Sequence, residues 1–193
     1  MEARLPAAAD RSELGDGLMK LSVVLSTHAA SFQAVAFKGD FESNVAKIAS
    51  WGYDGVELAV RNPKLVNAGQ LERVVADNGL VVPAIGTGQA WGEEGLSFTS
   101  SDPAIRAAAI ERISSHIPLA EHLDAIVILG LIRGITPEGQ THEQSMEYLV
   151  EAIQQCAAAA EGTNVRFALE PMNRYETDLI HTAADGLDLI NRV

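Results

Sequence analysis

The chain has 193 residues, room for one sizeable core and little more at roughly 150 residues per domain. Hydrophobic residues make up 47% and charged residues 21%, a globular balance that argues against wholesale disorder, and no apolar stretch approaches the roughly 20 residues of a membrane helix. Lys and Arg number 14 against 26 Asp and Glu, and a formal charge of -12 repels a phosphate backbone, so neither nucleic acid nor a membrane is an expected partner of this soluble protein.

Residues 1–18 mix Ala, Pro, Asp, Glu and Gly with no helical or strand period, which predicts a flexible N-terminal extension and leaves Met19 as an alternative start. From Leu21 onward a short apolar run followed by a longer amphipathic stretch recurs five times, the signature of βα units around a parallel sheet. The strands are expected at 21–26, 55–58, 81–85, 125–129 and 166–169, and the unbroken apolar run of the fourth suits a strand covered on both sides.

The helices between them carry start and stop signals. Phe41, Val45, Ile48 and Ala49 fall on one helical face behind Asp40, and Gly52 supplies a left-handed exit. Asn67 with Gln70 resembles a capping pair for a helix that stops at Asn78 and Gly79. Asp102 followed by Pro103 opens a third helix with Ile110, Ile113, Ile117 and Ala120 inside, and Pro118 is expected to kink it. Thr141 with Gln144 opens the fourth, with Leu149, Ile153, Cys156 and Ala160 inside and Gly162 at its close. The lone Cys156 is thus a core residue that cannot form an internal disulfide; with no apolar signal-peptide core at the N-terminus, a reducing cytoplasm is the expected compartment. The last helix begins near Thr182 and is expected to run to Val193.

Connections leading into strands are short, whereas those leading out of strands 1, 3, 4 and 5 exceed about ten residues, so function belongs at the carboxyl ends of the strands. That location holds for a closed βα barrel and for an open doubly wound sheet alike. Five units at about 35 residues each are five-eighths of a barrel, for which eight units would take roughly 277 residues. A complete five-stranded flavodoxin-like sheet fits the length equally well, although no glycine-rich phosphate loop follows strand 1.

Three segments carry a resemblance: Gly52-Tyr-Asp-Gly-Val-Glu-Leu58, Pro83-Ala-Ile-Gly-Thr-Gly-Gln89 and Leu169-Glu-Pro-Met-Asn-Arg-Tyr-Glu-Thr177. In order and spacing the chain from 19 to 193 resembles the xylose isomerase-like TIM-barrel superfamily, and within it the sugar phosphate isomerase/epimerase group. The resemblance implies a (β/α)8 TIM barrel of which about five βα units are present. It also implies one divalent metal, whether manganese, magnesium, cobalt or zinc, held by a Glu after strand 5, an Asp after strand 6, a His after strand 7 and a Glu after strand 8. Glu170 matches the first of these; positions for the other three would lie beyond Val193, so the chain is expected to be the N-terminal portion of a barrel.

By the same resemblance Glu170 is metal ligand and catalytic carboxylate, Glu176 is a catalytic glutamate that contacts the substrate near its reacting carbon, and Asn173 on the same turn touches substrate or braces the loop. Arg174 is expected in a salt bridge. Glu57 at the tip of strand 2 is an interior acid that must find a partner or a substrate. His28 after strand 1, Gln89 and Trp91 in the long third loop, and Arg133 as a phosphate counter-charge complete the candidate substrate contacts. His116, His122 and His142 fall on or near helices and are expected to be solvated.

The implied reaction is proton transfer beside the carbonyl of a small-molecule sugar or sugar phosphate, through an enediolate. A class II apurinic endonuclease would need histidines after the early strands, where this chain has Leu58-Ala-Val, Gly86-Thr-Gly and Gly130-Leu-Ile. The alternatives are a polyol lyase or dehydratase on the same scaffold, and a catalytically dead fragment that forms a homo-oligomer through the unpaired edges of strands 1 and 5.

Overall fold

The computed structural model describes residues 19–30 and 35–193, so the extension expected over 1–18 lies outside the described residues. Five strands, β1 Ser22–Ser26, β2 Gly55–Ala59, β3 Ala84–Gly86, β4 Ile126–Leu129 and β5 Phe167–Leu169, pair in parallel and strictly in chain order. That order separates the two architectures. A flavodoxin-like sheet places its first strand between the second and third, whereas β1 here lies at one edge beside β2, as in an arc of a barrel.

The helices are α1 Phe41–Ser50, α2 Ala68–Asp77, α3 Gly88–Glu94, α4 Pro103–Leu123, α5 His142–Ala160 and α6 Ala183–Ile190. Their starts follow local chemistry. Asp40, Asn67, Asp102 and Thr141 each accept a hydrogen bond from a backbone N–H of the first turn, and Thr182 with Asp185 forms a complete capping box.

Register divides the strand side chains between two faces. Leu25, Val56, Leu58, Ile85 and Val127 pack with Val45, Ile48, Leu71 and Val75 of the helices in one core, while Leu129 joins Ile113, Leu149, Cys156 and Leu189 in a second. On the other face the register aligns Val24 with Glu57, Ala59 with Gly86, and Gly86 with Ile128. Of these, Ala59 and Gly86 are small and Glu57 is acidic, so the inner face is open around them where the helix side is filled. For that reason β4 alternates half-buried Ile126 and Ile128 with buried Val127 and Leu129 and is not uniformly covered.

Several expectations need correction. The third strand begins at Ala84, not at residue 81, because Pro83 has no N–H for the ladder; Val81 makes only an isolated bridge with Gly55. The long third loop contains α3, and α6 stops at Ile190 instead of continuing to Val193. The α4 helix continues through Pro118 to Leu123. Cys156 is buried in the second core as expected, and burial pushes its thiol up to about 12, which keeps it an inert thiol. Among the described residues no helix is long and apolar enough to cross a membrane.

The largest departure is His116, expected in solvent and found fully buried. Its Nδ1 faces the Arg112 carbonyl at 2.8 Å and its Nε2 the Val60 carbonyl at 3.0 Å, so the ring ties α4 to the segment leaving β2. His142 is exposed as expected, and His122 pairs with Glu72 at 2.9 Å. Burial outweighs the two carbonyls and lowers the pKa of His116 below its ordinary value of 6.5. As pH falls below that value the unfolded chain takes up a proton that the native state resists, so stability must fall. Urea unfolding at pH 7.5 and 5.5 should show this loss in the parent chain and a smaller one in His116→Gln; equal losses would refute the assignment.

Candidate functional site

The carboxyl ends of all five strands converge on one pocket of about 150 Å³. Val24 from β1, Glu57 and Ala59 from β2, Gly86 from β3 and Ile128 from β4 form its floor, and Gly130, Leu131, Glu170, Met172 and Glu176 rise from the loops after β4 and β5. Gln89 and Thr87 enter from the start of α3.

Two glycines make room for two carboxylates. A Cβ at Gly130 would lie 2.6 Å from Oε2 of Glu170, and one at Gly86 would lie 3.3 Å from Oε1 of Glu57. Neither glycine has a positive φ, and what each supplies to the pocket is space. Glu170 extends the β5 ladder by one residue, its N–H donating to the Leu129 carbonyl at 3.2 Å. No hydrogen bond or ion pair from the described residues engages its carboxylate. Burial, and secondarily the negative charge of Glu170, raise the pKa of Glu57 above the usual carboxylate range.

Glu176 is aimed by the turn it sits on. Its N–H donates to the Asn173 carbonyl at 3.1 Å, and the Asn173 side-chain oxygen accepts from the Tyr175 N–H at 2.9 Å. Asn173 thus braces the loop and does not line the pocket. The loop is tied down on both sides: the Thr177 hydroxyl donates to the Gly134 carbonyl at 2.8 Å, Asp178 accepts from the Thr136 N–H at 2.8 Å, and the Met172 N–H donates to the Ile180 carbonyl at 3.0 Å.

The remaining candidates divide. Gln89 is buried at the pocket wall, where its Nε2 donates to the Ser26 hydroxyl at 2.8 Å. Trp91, on the same short helix, is half-buried and outside the lining. His28 stands at the tip of β1 with Nδ1 2.8 Å from the Thr27 hydroxyl, and burial followed by the charge of Arg61 lowers its pKa. Arg133 departs most from its expected role as a phosphate counter-charge: it is 0% exposed and lies behind the strand tips, facing backbone carbonyls. Arg174 lies over the exposed Tyr175 ring instead of in a salt bridge.

Residue reading alone misses Ser26, Thr87 and the space-making role of the two glycines. The glycines stand in the motifs at strand ends, but that signal becomes specific only when the neighbouring carboxylate is known. Among the described residues no three His, Cys, Asp or Glu side chains come together as a metal cage. A pocket-lining carboxylate without a protein donor, beside a second acid whose pKa is raised, nevertheless suits a hard divalent cation as part of a larger ligand set.

Residues 45–193 match the sequence profile described as xylose isomerase-like TIM barrel. An L-ribulose 3-epimerase of Mesorhizobium japonicum is 29% identical over 169 residues, 86% of this chain and 55% of that protein. A D-psicose 3-epimerase of Ruminiclostridium cellulolyticum is 29% identical over 164 residues, 81% of this chain and 55% of that protein. The chain therefore spans about half the length of the curated relatives it matches. A D-allulose 3-epimerase from Methylomonas sp., solved in complex with D-allulose, superimposes with TM-score 0.65 at 25% identity, covering 78% of this chain and 52% of that one. For the fold alone, a D-psicose 3-epimerase from Clostridium cellulolyticum H10, solved with D-tagatose, gives a TM-score of 0.71 at 23% identity over 90% of this chain and 60% of that one.

The coupling of the two acids is directly measurable. In a carboxyl-carbon NMR titration, Glu170→Gln should move the Glu57 midpoint downward while leaving it above that of surface glutamates, since burial remains. An unmoved midpoint would separate the two groups.

Proposed function

The chain belongs to the xylose isomerase-like TIM-barrel family, and from that premise we propose that it builds the first five βα units of a divalent-metal-dependent isomerase or epimerase of a ketose or sugar phosphate. The observation that carries the reading is the Glu170 carboxylate at the tip of β5, lodged over Gly130 and lining the pocket with no protein donor of its own. The two 3-epimerases that match most of this chain support a small sugar as the ligand class.

In this reading Glu170 is both a ligand of the cation and the carboxylate that takes the proton from the carbon beside the carbonyl. When bound, the divalent cation supplies Lewis-acid polarisation of the ketose oxygens. Glu176 accepts a hydrogen bond from the hydroxyl next to the reacting carbon. Glu57, which lines the pocket floor, is the hydrogen-bond partner of another hydroxyl. Gln89 and Ser26 hold the pocket wall, and His28, Trp91 and Asn173 shape the loops around it. The buried, inert Cys156 and the absence of a second cysteine are in keeping with a reducing cytoplasm.

One of the four ligands implied by the resemblance has its counterpart here, so turnover by these 193 residues is expected to be impaired. The same observation favours a second reading, a catalytically silent module that associates through the edges of β1 and β5, of which the β1 edge already receives the bridge from Leu25 to Phe37. D-psicose incubated with the chain and manganese in D2O discriminates between them. Slow loss of the C3 proton signal, abolished in Glu170→Gln and reduced about tenfold or more in Glu176→Gln as one charged hydrogen bond is lost, supports the enzyme. No exchange, with manganese binding that is absent or identical in Glu170→Gln, supports the silent module.

A further inference from the structure

Arg133 closes a short 3-10 turn, Leu131–Arg133, immediately after the Gly130 that makes room for Glu170. Its side chain is fully buried yet forms no ion pair with a carboxylate among the described residues, an unusual situation for a guanidinium because burying a charge without a partner is costly. Instead Nη1 donates to the carbonyl of Glu170 at 2.5 Å and Nη2 to the carbonyl of Ile180 at 3.2 Å. Burial lowers its pKa to about 10, with the charge of Glu170 opposing the shift, so it remains a cation at neutral pH.

The two carbonyls are the two stems of one loop. Glu170 opens it, Ile180 returns to receive the Met172 N–H at 3.0 Å, and Glu176 lies between them. The turn itself is held from outside, the Arg133 N–H donating to the Gly130 carbonyl and the Thr99 hydroxyl to the Arg133 carbonyl at 3.0 Å. One four-residue stretch therefore limits Glu170 from two directions: Gly130 sets the space available to its carboxylate and Arg133 fixes the backbone from which the carboxylate springs.

We propose that Arg133 is the positioning residue of the site, a buried clamp that sets the direction of the Glu170 carboxylate by gripping both stems of the loop carrying Glu170 and Glu176. Its role in metal binding rests on Glu170 being a ligand, and the clamp itself does not. An aliphatic residue could fill the same space but has no N–H to offer, whereas the guanidinium presents donors on separate nitrogens in a fixed planar fork. A lysine at this position keeps the charge and loses the fork.

The test is made on Arg133→Lys and Arg133→Met in the 193-residue chain. The readouts are amide exchange at Met172 and at the core residue Ile113, manganese affinity by electron paramagnetic resonance, and the unfolding midpoint. Arg133→Lys should exchange Met172 about tenfold faster relative to Ile113 and bind manganese about tenfold more weakly, while keeping a midpoint near that of the parent. A lowered midpoint with unchanged relative exchange and unchanged affinity would make Arg133 merely structural and overturn the proposal. If Glu170→Gln binds manganese as the parent does, the ligand reading fails, and exchange at Met172 still decides the clamp. Should neither Arg133 variant fold, the parent chain decides: Nη protons exchanging as slowly as the Met172 amide support the clamp, and Nη protons as fast as those of a surface arginine overturn it.

Discussion

Glu57 and Glu170 share one pocket because the positions beside them, Gly86 and Gly130, have no Cβ. The requirement is steric before it is electrostatic. At Gly130 a methyl group would stand 2.6 Å from a carboxylate oxygen, closer than atoms tolerate, and the Glu170 carboxylate would have to shift from its present place. At Gly86 the corresponding distance of 3.3 Å leaves the Glu57 side chain room to give way. The parallel register converts these local vacancies into a shared floor. Ala59 aligns with Gly86, so β2 and β3 place two small residues side by side on the inner face, with Ile128 of β4 beyond them, while large aliphatics fill the helix side.

The helix starts are legible in the sequence because each is a local event. Asp40, Asn67, Asp102, Thr141 and Thr182 meet their N–H partners within three residues, a distance that sequence spacing encodes directly. The strands are legible as apolar runs, and the barrel emerges through resemblance, since period and length alone leave two architectures level. Strand order distinguishes them, and order is a long-range property that no window of residues contains.

What stays hidden is likewise long-range. The Thr87 hydroxyl donates to the Ile128 carbonyl at 2.7 Å and does not cap α3, so that helix starts without the usual side-chain signal. Its other end is held by ion pairs from distant elements: Arg61 to Glu93 at 2.8 Å and Arg112 to Glu94 at 2.7 Å. His116 reads as a solvated helix residue and Arg133 as a phosphate counter-charge because nothing near them in the chain marks them as buried. Each is buried against carbonyls at the end of a strand, where a ladder has stopped and its acceptors need a donor. A polar side chain on a helix or turn that packs over strand ends is the pattern common to both, and it needs a three-dimensional neighbour to be recognised.

The same accounting applied to charge bears on what the pocket can hold. Its described lining contains Glu57, Glu170 and Glu176 and neither Lys nor Arg. The nearby cations are committed elsewhere: Arg61 and Arg112 to the acids of α3, Arg174 to the Tyr175 ring, and Arg133 to two carbonyls behind the wall. The acids must therefore relieve their mutual repulsion with a proton or with a cation drawn from solution. The raised pKa of Glu57, set first by burial and second by the charge of Glu170, favours the proton, and a divalent ion would act the opposite way by stabilising both carboxylates in their ionised form. A proton and a divalent cation would thus be alternative answers to one demand, the crowding of Glu57 and Glu170 into a pocket without a Lys or Arg in its described lining.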